Sequence, residues 1–356
     1  MKKIVAILMA AVLMVLCLSG CGSKSLTLNV YNWGEYISDG SEGSFDTIRE
    51  FEKWYEETYG QKVTVNYSTF ASNEDMYSKI SSGAVSYDVI IPSDYMIARM
   101  VEEDMLLPLN FENIPNYEYI DDNFKGLYYD EQNQYSVPYA YGIVGVIYDA
   151  NVVDAADADG WNLMWNEKYS GKIVQFNNSR DAFGTAMYKL GLDVNSHDTA
   201  DWDLAYEELL TQRPLVYSYV MDEIYNMMES GEAAIGAYYA GDYFTMVDAQ
   251  AEHVDLQFYY PERTNFYVDA MCIPKCAQTK SWQRSLSIIC CRKIPLLPTQ
   301  SIPTMLPPTA LSTTMRPTLR IWAKRPWLCS IPKWAVSLRC IMPCPIIISI
   351  KRCWTT

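Results

Sequence analysis

From residue 26 onward the apolar positions switch between two periods. Residues 26–33, LTLNVYNW, alternate as a strand, and residues 44–60 then set Phe45, Ile48, Phe51, Trp54 and Tyr55 on one stripe at helical spacing. Ser44 is available as its N-cap and Gly60 as its stop. Residues 62–69 alternate again, 73–83 predict a short helix with Asn73 at its start, and 94–105 predict another helix. Between these two helices, residues 87–93 are almost continuously apolar, as a buried parallel strand requires. A strand–helix order repeated in this way predicts an α/β sandwich.

A second set follows the same logic. Residues 135–149 form a long extended stretch, suited to leaving one lobe and entering another. Residues 172–178 predict a strand, 179–191 a helix ended by Gly191, and 199–212 a helix capped by Asp198 or Thr199. A strand within 232–241, a helix over 242–250 and strands at 256–261 and 266–274 complete the set. No internal repeat occurs.

The amino terminus belongs to neither set. Lys2 and Lys3 precede an apolar run from Ile4 to Leu18, too short to span a bilayer comfortably. Ser19, Gly20 and Cys21 follow, and LSGC resembles the lipobox of bacterial lipoproteins. That resemblance implies a signal peptide over 1–20, lipidation of Cys21, a tether over 21–25, and a body held outside the cytoplasmic membrane.

Composition divides the remainder. All 43 acidic residues lie between Gly22 and Asp269, against 13 Lys and Arg, a net charge of −30 over that span. Such a surface disfavours nucleic acid and anionic lipid as partners and is compatible with cationic ligands. Residues 270–356 contain no Asp or Glu, where about 14 would be expected at the preceding rate, but hold eight of the ten cysteines and 11 of the 17 prolines. A basic cysteine-rich domain would show zinc-ligand pairs at close spacing, and Cys290, Cys291, Cys329, Cys340, Cys344 and Cys353 show none. A disordered tail would not contain IMPCPIIISI. The break reads best as a frameshift beginning near Thr279 to Ser285. Cys272 and Cys276 read as strand and turn residues.

Ligands of open α/β sheets bind beyond the carboxyl ends of the strands. The predicted strands end in Trp33, Glu35 and Tyr36; in Pro92, Ser93, Asp94 and Tyr95; in Asn178, Arg180 and Asp181; and in Tyr238 and Tyr239. Tyr267 and Asp269, two apart on a strand, emerge on one face. Aromatic faces with isolated carboxylates suit an alkylammonium, through cation–π attraction and charge-assisted hydrogen bonds. Each residue also has a structural explanation. An acid in the first turn of a helix, as at Asp181, is favoured by the helix dipole. Asp269 on an apolar strand is harder to explain, because a buried charge needs a partner. Catalysis finds little support: His197 and His253 read as surface residues, and no nucleophile elbow, phosphate loop or dinucleotide fingerprint occurs. Sugar binding uses similar platforms and remains the nearer rival.

In order along residues 26–280, YNWGEY (31–36), YDVIIPSDYMI (87–97), YSVPYAYGIVGVIYD (135–149), SGKIVQFNNSRDAFGTAMYKLG (170–191) and FYVDAMCIP (266–274) resemble the spermidine/putrescine-binding proteins of bacterial ABC importers. The resemblance implies a two-lobed periplasmic-binding-protein fold of type II with the ligand cleft between lobes. Lobe 1 would comprise 26–138 plus about 268–285, lobe 2 would comprise 139–267, and 286–356 would be the anomalous tail. It further implies a monomeric, non-catalytic substrate-binding protein, without metal or cofactor, that delivers putrescine or spermidine to a membrane permease from the outer face of the membrane or the periplasm. The implied ligand contacts are Trp33, Tyr36, Ser93, Tyr95, Asp181, Tyr239, Tyr267 and Asp269. Tyr239 and Tyr267 stand where the family often has Trp. Asn178 stands where some members have a second Asp, which implies fewer charged contacts and a lean toward the shorter diamine. The family's amide contact from its last segment falls in the tail and has no identifiable counterpart.

Overall fold

A computed structural model of the chain describes residues 26–34, 36–41 and 44–277. The signal peptide, Cys21, the tether, Glu35, the end of the lobe 1 return beyond 277 and the tail lie outside the described residues. Along the chain run β1 (Leu26–Trp33), α1 (Thr47–Tyr59), β2 (Val63–Phe70), α2 (Asn73–Ser81), β3 (Val89–Ile90), α3 (Asp94–Glu102) and β4 (Ser136–Asp149). After these come β5 (Ile173–Phe176), α4 (Ser179–Leu190), α5 (Thr199–Gln212), β6 (Val216–Val220), α6 (Ile224–Glu229), β7 (Ile235–Tyr239), α7 (Ala240–Ala249), β8 (Leu256–Tyr259) and β9 (Phe266–Cys272).

Strand order is β2-β1-β3-β9-β4-β7-β5-β6, with β8 also on β4. β1 pairs in parallel with β2 and β3, and β5 in parallel with β6 and β7, as strands joined by crossover helices must. β4 joins the two halves. Its first part, Ser136 to Ile143, pairs antiparallel with β9, and its second part pairs with β7 and β8. A register shift between Pro138 and Ala140 interrupts the β4–β9 ladder, where proline can donate no ladder hydrogen bond, and the change of partners follows at Val144.

Two separate apolar cores result. Leu28, Val30, Ile90, Ile97, Met100, Val137, Val268 and Met271 pack in the first; Val146, Ile147, Ile173, Val174, Phe176, Ile224, Ile235 and Met246 pack in the second. The fold is thus α/β and two-lobed, with β4 and β9 crossing between the lobes. Cys272 is buried within β9 and Cys276 lies in the turn after it, both as free thiols.

The helix ends differ in detail from expectation. Asp46, not Ser44, caps α1 by accepting from Arg49 N, and Ser72, not Asn73, caps α2 by accepting from Asp75 N. Each is the short polar residue immediately before the first helical turn, where its side chain reaches the N3 amide. Gly60 and Gly191 do end their helices, at φ 66° and 74°, a left-handed conformation that glycine adopts without strain. β3 is shorter than expected, just two residues, and at its carboxyl end Pro92 has no N–H to continue the ladder. β6 and α6 have no counterpart among the predicted elements.

Candidate functional site

The carboxyl ends of β1, β5 and β7, the start of α3 and the crossing strand β9 meet around one cleft between the cores. Trp33, Tyr36, Ser93, Tyr95, Asp181, Tyr239, Tyr267 and Asp269, distant in sequence, all line it. The cleft has a volume of about 110 Å³. At roughly 10–15 Å³ per water that is space for about eight waters or one extended alkyl chain.

One wall comes from the first core. The Trp33 ring lies 4.6 Å from Phe70 and 6.5 Å from Tyr36, centroid to centroid. Ser93 and Tyr95 begin α3 and are held by α2: Asn73 Nδ2 donates to Ser93 Oγ at 3.0 Å and to Tyr95 Oη at 3.1 Å, and Tyr95 Oη donates to Glu74 Oε1 at 2.9 Å. Asp269 faces this wall from β9. It is 2% exposed, and Tyr36 Oη donates to its Oδ2 at 2.5 Å. Its Oδ1 is buried and receives no hydrogen bond of normal geometry. Burial, offset in part by the hydroxyls of Ser93 and Tyr36, pushes the Asp269 carboxyl up to about 7. Neighbouring Asp94 accepts from Tyr95 N at 2.6 Å and Val268 N at 3.2 Å, which ties α3 to β9; burial pushes it up to about 6.

The opposite wall comes from the second core. Asn178 caps α4 by accepting from Asp181 N at 2.8 Å, and its amide donates to Asp181 Oδ2 at 2.9 Å. Tyr239 Oη donates to the same oxygen at 2.7 Å. Burial raises the Asp181 carboxyl, against those two donors. The Tyr239 ring lies 5.2 Å from Tyr267 edge-on and 4.8 Å from Tyr238, so the tyrosines form a continuous aromatic face.

The walls already approach each other closely. Arg180 Cζ stands 5.2 Å from the Tyr95 ring across the cleft. A Cβ on Gly34 would meet Asp222 Oδ2 at 2.6 Å, so glycine lets the first wall close on the second.

Asp222, Tyr225 and Asp242 also line the cleft, although the sequence reading does not single them out. Asp222 follows β6, the strand missing from that reading; had VYSYV been taken as a strand, Asp222 would have stood near its carboxyl end. Asp242 occupies the first turn of α7, where the helix dipole offers a sufficient structural explanation. His197 and His253 are exposed and away from the cleft lining. Among the described residues no three His, Cys, Asp or Glu stand close enough to hold a metal ion, and no helix is long and apolar enough to cross a membrane.

Two lobes closing on a cleft of tyrosines and carboxylates define a solute-binding protein. The chain belongs to the bacterial extracellular solute-binding proteins, whose family profile matches residues 47–288. It is 33% identical to spermidine/putrescine-binding periplasmic protein 1 of Haemophilus influenzae over 73% of this chain and 69% of that one. It is 30% identical to the spermidine/putrescine-binding periplasmic protein of Escherichia coli, over 79% of this chain and 77% of that one. Among solved structures, it matches a spermidine/putrescine ABC transporter protein of Listeria monocytogenes with a TM-score of 0.65 at 31% identity, covering 74% of this chain and 78% of that one. The fold is therefore that of the periplasmic binding proteins, and the family captures solutes outside the cytoplasm.

Proposed function

We propose that this protein captures a polyamine, putrescine or spermidine, and delivers it to the permease of an ABC importer. Trp33, Tyr36, Tyr95, Tyr239 and Tyr267 enclose the methylene chain, while Asp181 and Asp269 each receive an ammonium. The observation that carries this reading is the buried, unpartnered Oδ1 of Asp269 among aromatic faces. A buried carboxylate oxygen without a donor is costly, and an ammonium supplies both the donor and the opposite charge. A neutral sugar would supply hydroxyl donors but no charge. The names of the relatives at 30–33% identity support the same choice.

The protein acts as a monomer and needs no chemistry. Cys21 carries the lipid that keeps it at the outer face of the membrane. Exchange of Cys21 for Ala is expected to release the protein into the soluble fraction. Calorimetric titration with putrescine, spermidine and maltose tests the ligand: heat with the amines and none with maltose is expected, and the reverse result removes the reading.

A further inference from the structure

A second, smaller cavity adjoins the cleft. Arg180, Asp181 and Asn265 line both, so these three residues form the partition between them. The smaller cavity has a volume of about 10 Å³, room for about one group the size of a water or a methyl. Val144, Trp161, Tyr188 and Val194 give it mostly apolar walls. The Trp161 and Tyr188 rings stack at 5.7 Å, and Trp161 Nε1 donates to Arg263 O at 2.8 Å, so that wall is held in place. Thr185 also lines the cavity, but its hydroxyl is engaged within the lobe, donating to Ala182 O at 2.7 Å and accepting from Gln175 Nε2 at 3.0 Å. The polar character of the cavity therefore lies at its partition.

Gly184 keeps this space open. It is buried in the interior of α4, where glycine lowers helix stability relative to alanine. No close approach demands glycine there: a Cβ would meet just Tyr188 Cε2, at an ordinary 3.9 Å. What the missing methyl leaves is room in the wall of the second cavity.

Arg180 is the other feature that a fully cationic ligand leaves unexplained. It is the one Lys or Arg among the residues lining the cleft. Its guanidinium donates to Val194 O and Asn195 Oδ1, both at 2.9 Å, which uses two of its five N–H groups. At the neighbouring Asp181, Asn178 and Tyr239 both donate to Oδ2, which leaves Oδ1 for a ligand. A guanidinium repels an ammonium and binds a carbonyl oxygen. An acetylated amine needs a donor for its carbonyl, an acceptor for its amide N–H and apolar room for one methyl. Arg180, Asp181 and the small cavity bring these three together.

We infer that the small cavity is an acyl subsite and that the protein takes a mono-N-acetylated polyamine. Its free ammonium lies at Asp269 and its methyl beside Gly184, with Arg180 donating to the carbonyl and Asp181 accepting from the amide. The inference rests on the polyamine reading and extends it to a capped terminus.

Calorimetric titration of the full chain with putrescine, N-acetylputrescine and N-pivaloylputrescine tests this. Wild type is expected to bind N-acetylputrescine at least as well as about one-tenth of its putrescine affinity, because neutral hydrogen bonds replace one charged contact. N-pivaloylputrescine, whose three methyls exceed the cavity, should bind about 30–100-fold more weakly than the acetyl compound. Gly184→Ala should melt at a higher temperature, keep putrescine affinity within about threefold and bind N-acetylputrescine about 10–100-fold more weakly, since its methyl takes the place of the ligand's. Arg180→Gln provides a second test if Gly184→Ala does not fold: the ratio of N-acetylputrescine to putrescine affinity should fall about 10-fold or more, as loss of a charged donor requires. Unchanged N-acetylputrescine affinity in Gly184→Ala, an unchanged ratio in Arg180→Gln, or equal binding of the pivaloyl and acetyl compounds overturns the inference. Wild type that binds putrescine and not N-acetylputrescine overturns this inference alone. Wild type that binds neither removes the polyamine reading with it.

Discussion

On the wall formed by the first core, Asp269 sits within a strand whose inner residues are buried, beside Ser93 at the start of α3, and the hydroxyls of Ser93 and Tyr36 offset its burial just in part. On the facing wall, Asp181 and Asp242 sit in the first turns of α4 and α7, where helix N-termini favour negative charge, and both accept tyrosine hydroxyls. One wall therefore holds a carboxylate that is destabilised until a cation arrives. The other holds carboxylates at helix starts, where the dipole favours them although burial raises Asp181 as well. Binding free energy should come mainly from the first wall, and attraction and discrimination from the second.

The sharpest test of that contrast compares two isosteric exchanges. Asp269→Asn is expected to weaken polyamine binding by about 2–5 kcal/mol, and Asp181→Asn by clearly less, because Asn178 and Tyr239 still serve the remaining group. Equal losses measured by calorimetry would erase the distinction between the walls.

Burial raises carboxyls on both walls, Asp181 as well as Asp269 and Asp94, so both contribute to the pH dependence. Asp269 is raised to about 7 and Asp94 to about 6, so folding favours their protonated forms. Their stabilising contribution is complete below the ordinary carboxylate range and is lost as pH rises through about 6 to 7. The empty protein should therefore melt at a higher temperature at pH 5.5 than at pH 8, and Asp269→Asn should flatten that slope. Polyamine affinity should run the opposite way. With Asp269 at about 7, protonation weakens binding about 30-fold at pH 5.5 relative to pH 8. Affinity independent of pH across that window would show that the Asp269 proton does not compete with the ligand.

Smaller effects follow for the aromatic lining and the closure contact. Trp33→Leu should cost about 0.5–2 kcal/mol of binding, the range of one cation–π contact. Gly34→Ala should cost less than about 1 kcal/mol, because Asp222 Oδ2, the atom it meets, ends a side chain that can turn away. Asp222→Ala in the same chain should restore the loss; failure to restore it would mean that Gly34 matters for another reason.

Much of the fold was legible because periodicity is local. The alternation in LTLNVYNW and VTVNYSTF and the stripe along α1 correspond to elements within a few residues of their expected ends. β6 and α6 escaped notice because VYSYVMDEIYNMME mixes tyrosines and methionines without a clear period, and tertiary packing decides between strand and helix there. In the cleft, residues at strand ends with no good structural explanation, Trp33 and Asp269 above all, could be singled out from sequence. Asp242 could not, because a helix-start acid needs no ligand to explain it.

By itself, the sequence determined the alternation of strands and helices, the acidity of residues 22–269, the break in composition after Asp269 and the set of aromatic and acidic residues at strand ends. These depend on neighbours along the chain or on simple counts. Which of those residues share one space, that Tyr36 bonds Asp269 while Tyr239 bonds Asp181, and that Asp222 and Asp242 join the same lining were decided by the tertiary structure alone. The reason is geometric: β4 and β9 cross between the two cores, and that crossing sets side chains separated by more than two hundred positions face to face.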